Sequence, residues 1–122
     1  MGVETSLEES KRAIIRALAD DQARLILTTT IHAAKSVMDI TREQAIPITS
    51  AYRKVKELKA SGLLKVERII VTDDGKKYEL FRSSIRSANV RFDRGTLDVD
   101  VAPNVQADEK MLKRFFTLRE VR

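Results

Sequence analysis

The feature that most constrains this chain is residues 35–64, KSVMDITREQAIPITSAYRKVKELKASGLL, where two short helical patterns meet across a tight break. Val37, Met38, Ile40 and Ala45 supply the apolar positions of the first pattern, and Ile46 with Pro47 forms the break. Proline is well tolerated where a helix opens, because the N–H it lacks would be unpaired there anyway. The second pattern predicts a helix over 47–61, ended by Gly62. With Ala51 set at zero and a turn of about 100° per residue, Val55 falls at about 40° and Leu58 at about 340°. These three define the buried side. Thr49, Arg53 and Lys56 fall at about 160°, 200° and 140°, directly away from it, with Tyr52 and Ser50 on the flanks.

The flanking sequence predicts two helices before this unit and two hairpins after it. Ser6 followed by Glu9 makes a capping-box start, and Leu7, Ile14, Ile15 and Leu18 share one face of a helix ending near Ala19. Asp20 or Asp21 caps a second helix, in which Ala23, Ile26, Leu27 and Ile31 recur at helical spacing; the β-branched run Thr28 to Thr30 weakens its end. Beyond Leu64, apolar and β-branched residues, an Asp74-Gly75 turn, and Tyr78, Leu80 and Phe81 predict a hairpin over 66–82 with Lys76 and Lys77 at its tip. A second hairpin is expected over 88–102, where Val90 and Phe92, then Leu97, Val99 and Val101, alternate with polar residues around Gly95. Pro103 and Asn104 close it. A last helix over 107–122 carries Met111, Leu112, Phe115, Phe116 and Leu118 on an apolar arc of about 160°.

Composition narrows the functions available. At 122 residues, with no internal repeat and no Gly/Ser linker, a single domain (1–122) of the α+β class, mainly α, is expected. The absence of Cys excludes a disulfide framework, a Cys-based zinc site and a thiol nucleophile. His32 is the one histidine, so His-cluster metal sites and Ser/His catalysis lack material. Asp73 and Asp74 belong to a turn, and Asp98 and Asp100 to the exposed side of a strand, so neither pair suggests acid/base chemistry. No enzyme activity, metal or cofactor is expected. The sequence shows neither a membrane-spanning stretch nor a signal-peptide pattern, and a cytoplasmic location is expected. Few Asn and Gln among many charged residues give a lean towards heat-adapted composition.

Charge is distributed unevenly. Residues 1–41 carry net −1, residues 42–94 net +6 and residues 95–122 net 0. A surplus confined to the middle of the chain suits a polyanion, whose condensed counterions are released when Lys and Arg neutralise its phosphates. The other reading of the same residues is a solvated helix face.

The order of elements resembles a winged helix-turn-helix domain, and the residues resemble the ArsR-like transcriptional regulators over roughly residues 17–82. ALADDQARLILTTT looks like the opening stretch of that family, and SVMDITREQAIPITSAYRKVKELKASGLL follows it through the helix-turn-helix. The closing ELKASGLL is the most family-like phrase: Glu57-Leu58, then Ser61-Gly62-Leu63, where these regulators pass from recognition helix to wing. Three departures stand out. The Cys and His clusters of metal-sensing members are absent, Pro47 and Ile48 replace the usual small polar residues at the helix entrance, and the second hairpin resembles an appendage of archaeal members.

The resemblance implies a sequence-specific DNA-binding regulator, with helix 47–61 in the major groove and the basic wing 66–82 on the backbone or in the minor groove. The residues expected to face double-stranded DNA are Pro47, Ile48, Thr49, Ser50, Tyr52 and Arg53, with Lys54, Lys56 and Lys59 on phosphates. The wing adds Arg68, Lys76 and Lys77. Tyr52 is equally readable as an aromatic sealing the helix against its neighbour. A homodimer is expected through Leu7, Ile14, Ile15 and Leu18 of the first helix and Met111, Leu112, Phe115, Phe116 and Leu118 of the last; simple packing of that last helix on the chain's own core is the other reading. Two rival functions are a winged-helix protein-interaction module and a nonspecific DNA-coating protein. No small-molecule effector is identified by the sequence.

Overall fold

The structure, a computed structural model, describes residues 3–104, with side chains from Glu8 onward. The helix expected over 107–122, with Met111, Leu112, Phe115, Phe116 and Leu118, lies outside the described residues, as does the side chain of Leu7. Four helices lead: α1 (Val3–Ala19), α2 (Asp21–Thr29), α3 (Val37–Gln44) and α4 (Ile48–Ala60). Four strands follow: β1 (Leu64–Val71), β2 (Lys77–Ser83), β3 (Ile85–Asp93) and β4 (Thr96–Pro103). They pair as two antiparallel hairpins, β1 with β2 and β3 with β4.

Local chemistry sets the helix ends. Asp20 caps α2, its carboxylate accepting the Ala23 N–H at 2.7 Å. That bond is the main reason its pKa lies below the ordinary carboxylate value. Ser36 and Asp39 form a reciprocal capping box on α3: the Asp39 N–H donates to Ser36 Oγ at 3.1 Å, and the Ser36 N–H to Asp39 Oδ2 at 3.2 Å. At the far end of α4, Gly62 at φ 86° lets its own N–H reach Lys59 and the Leu63 N–H reach Leu58, the paired bonds of a Schellman ending.

The core gathers one stripe from each helix. Ile14, Ala17, Ala23, Ile26, Leu27, Val37 and Ile40 meet Ala51, Val55 and Leu58 of α4, and Leu63, Leu64, Phe81, Ile85, Val99 and Val101 close the cluster from the strand side. Ile26 and Ile40 have no exposed surface, so truncating either to Ala should cost about 2–5 kcal/mol.

The wing is bound tightly to the helices at its root. Lys35 and Phe81 exchange both backbone hydrogen bonds (2.9 and 2.8 Å), which lays the segment before α3 against β2 as a single bridge. Arg82 is almost buried and donates to both oxygens of Glu67 (2.9 and 3.3 Å) and to the Ile31 carbonyl (3.2 Å). Only Ser84 separates β2 from β3; it is fully buried, its N–H bonded to the Leu63 carbonyl and its carbonyl accepting the Asn104 N–H, each at 2.9 Å.

Several expectations are corrected. The first helix begins at Val3, ahead of the Ser6–Glu9 box, because no Pro or Gly interrupts the intervening residues. Pro47 is the N-cap of α4 and stands outside the helix: at ψ 140° its backbone is extended, and it offers no side-chain cap. The helix accordingly covers Ile48–Ala60 within the expected 47–61. α2 stops at Thr29, and Thr30, whose hydroxyl donates back to the Ile26 carbonyl at 2.8 Å, is its C-cap, so Ile31 leaves the helical face and is only half-buried. Met38 and Ala45 are exposed, the latter in the left-handed region at φ 54° as the C-cap of α3. Ile14 is 1% exposed and belongs to the chain's own core, which removes it from any surface contact. The second hairpin is longer than 88–102, and it buries only Val99 and Val101 of its alternating residues; Phe92 is 74% exposed near its tip.

Candidate nucleic-acid interface

Helix α4 follows directly from its sequence. Ala51, Val55 and Leu58 recur at helical spacing and are buried, which fixes the rotation of the helix. Thr49, Arg53 and Lys56 are thereby turned to solvent, and Pro47, Ile48 and Tyr52 are exposed at the entrance and flank, with Ser50 half-buried. Tyr52 is 55% exposed on the flank of the helix.

The lysines of α4 are not equivalent. Lys54 is mostly covered and reaches back to Asp20 at 3.1 Å, so it ties α4 to the start of α2. A place for it on a phosphate requires that this pair open first. Lys59 pairs with Glu79 of the wing at 3.1 Å, and Arg53 lies 3.6 Å from Glu57 one turn on. Lys56 has no ion-pair partner among the described residues, and the same holds for Arg68, Lys76 and Lys77 of the wing. Ion pairs at this exposure are weak, on the order of 1 kcal/mol or less, so a phosphate can compete for Arg53 and Lys59.

The wing tip is built to hold its lysines outward. Gly75 at φ 84° supplies the turn, the Thr72 N–H donates to the Lys76 carbonyl at 2.8 Å, and the Gly75 N–H donates to the Thr72 carbonyl at 2.9 Å. The Thr72 hydroxyl donates to the Asp74 carboxylate and holds its pKa below the ordinary value. A β-bulge between Val66 and Arg68 breaks the register on the β1 side.

Between α3, α4 and the wing lies an open groove of about 970 Å³ that the sequence reading did not anticipate. Its walls carry Met38, Tyr52, Ile69 and Tyr78, all substantially exposed, over a floor of Val55, Leu80 and Phe81. The available signal was the placement of the tyrosines: the chain has two, and both stand here.

These elements define a winged helix domain: a helix pair closed by a tight turn, followed by a hairpin rooted against it. The chain is similar in fold to the solution structure of the homodimeric winged helix-turn-helix DNA-binding domain (fragment 1–100) of Mb0332 from Mycobacterium bovis, a possible ArsR-family transcriptional regulator. The TM-score is 0.55 at 16% identity, over 99% of this chain and 85% of that one. No protein-family model matches the chain, and no curated protein matches it. Among the described residues no helix is long and apolar enough to cross a membrane.

Proposed function

We propose that this chain is a dimeric, sequence-specific DNA-binding transcription regulator of the ArsR-like type. The observation that carries this reading is the α4 ridge: Thr49, Arg53 and Lys56 face solvent, Arg53 within 3.6 Å of Glu57 on the same face, while Ala51, Val55 and Leu58 anchor the helix from behind. Such a helix fits a major groove, where Arg53 suits the two acceptors on guanine and Lys56 a phosphate. Lys59, released from Glu79, adds a second phosphate contact. Arg68, Lys76 and Lys77 lie along the backbone or the adjacent minor groove. The similar fold of a homodimeric DNA-binding domain supports pairing of two copies. In this reading Ile15 and Leu18, half-buried on α1, join Leu7 and the segment 107–122 in the contact, and two recognition helices stand about 34 Å apart on a near-palindromic site. Such a regulator has no catalytic role, and the second hairpin together with the charged-rich, Asn- and Gln-poor composition supports an archaeal type.

Selection of bound sequences from a random duplex pool tests this. An enriched inverted repeat is the expected outcome; retention of all duplexes alike would make the protein a coating factor, and no retention at about 100 mM salt would end the assignment. The exposed Val90, Phe92 and Leu97 of the second hairpin favour a second reading, a protein-interaction module, which predicts that last result.

A further inference from the structure

The groove beside α4 has a character that duplex binding does not account for. Phosphates and sugars are polar, yet four of the large apolar side chains left exposed by the fold, Met38, Tyr52, Ile69 and Tyr78, converge on this one concavity. Scattered apolar residues need no explanation, whereas a concave apolar lining with a few polar groups is the usual form of a small-molecule site. A volume of about 970 Å³ accommodates a molecule of drug size.

Charge around the groove selects the ligand class. Arg42 is paired with Asp39 at 2.6 Å and Lys59 with Glu79 at 3.1 Å, pairs that an anion has to open first, whereas Lys56 and Lys77 are lining cations without an ion-pair partner among the described residues. Two tyrosine faces and a methionine sulfur favour an aromatic body, through offset stacking and sulfur–ring contact. A free cationic pair favours an anionic head.

We infer that the groove between α3, α4 and the wing binds a small aromatic organic anion, with its rings between Tyr52 and Tyr78 and its head on Lys56 and Lys77. The inference rests on the DNA-binding reading in one respect: Tyr52, Lys56 and Lys77 are also in the duplex-facing set. Ligand and duplex therefore exclude one another, and by linkage each weakens the other by the same factor. The ligand acts as an inducer that releases the protein from DNA.

The test uses 8-anilinonaphthalene-1-sulfonate as probe on the whole chain, read by its fluorescence. Saturable binding at one site per chain is expected. Met38→Gln and Ile69→Gln should each weaken it about tenfold, the loss of one apolar wall, while leaving the melting temperature and duplex retention unchanged. Phe92→Gln, at the exposed hairpin tip, should leave the probe unaffected. Probe and selected duplex should displace each other. Binding that ignores both groove substitutions, or that vanishes with Phe92→Gln, overturns the site; simultaneous binding of probe and duplex overturns the exclusion. Duplex affinity that falls in Met38→Gln and Ile69→Gln with the probe unaffected assigns the groove to DNA instead. Should the native chain retain no duplex, the regulator reading fails alone, because the response of the probe to Met38 and Ile69 still decides the site.

Discussion

Lys54 Nζ lies 3.1 Å from Asp20 Oδ1, and the same carboxylate caps helix α2. One side chain thus ends the loop after α1, starts α2 and fixes the middle of α4. Helix α4 is positioned from behind by this pair and by the burial of Ala51 and Val55.

Asp20→Ala should destabilise the fold by about 1 kcal/mol, through the lost cap, and lower the melting temperature by roughly 4 °C. Lys54→Ala removes only the ion pair and should cost less than about 1 kcal/mol. Thermal melts followed by circular dichroism distinguish the two. A larger loss from Lys54→Ala would mean that the pair, and not the cap, dominates this junction.

On α4, Arg53 and Lys56 should fail in different ways. Lys56→Ala weakens every duplex by a similar factor and lowers the slope of log affinity against log salt by about 1. Arg53→Ala relaxes the preference at one base position, worth about 1–3 kcal/mol of discrimination. Titrations of one selected duplex and one scrambled duplex across a salt series measure both effects.

Glu79 restrains Lys59 from the wing. Replacing it by Gln frees that lysine and removes a negative charge from the face, so nonspecific duplex affinity should rise about two- to threefold at low salt, with a steeper salt dependence. Unchanged affinity in Glu79→Gln would place Lys59 away from the duplex.

Acid should unfold the protein through its caps. Asp20 and Asp39 both titrate below the ordinary 3.8 in the folded state, each chiefly because a backbone N–H, of Ala23 and Ser36 respectively, donates to the carboxylate. A pKa depressed on folding gives stability that is fully present above the unfolded value and lost as pH falls through the folded one. Melting temperatures should therefore hold steady from about pH 8 to 5 and fall below about pH 4. Asp39→Ala should lower the plateau and flatten that fall, as seen in melts across the same range.

How far the sequence could be read depended on whether a residue's role was local. The buried side of α4 was legible because Ala51, Val55 and Leu58 obey helical periodicity, and both hairpin turns because Gly75 and Gly95 mark them. The roles of Lys54 and Lys59 were not legible: each is decided by a carboxylate on another element, Asp20 and Glu79, that only the folded chain brings near. The Lys35–Phe81 bridge was hidden for a related reason, since a single paired residue leaves no alternation to detect. Met38 shows the converse. Its spacing fits the core stripe of α3, yet Val37 and Ile40 already fill it, and the side chain is left on the groove wall.

The passage from wing to second hairpin through Ser84 alone has a mechanical consequence. With that residue sealed between Leu63 and Asn104, the two hairpins share one rigid root and have no slack between them. Anything that grips the Phe92 end and tilts it pulls at the spot where α4 hands the chain to the wing. The far hairpin is thus a handle on the wing.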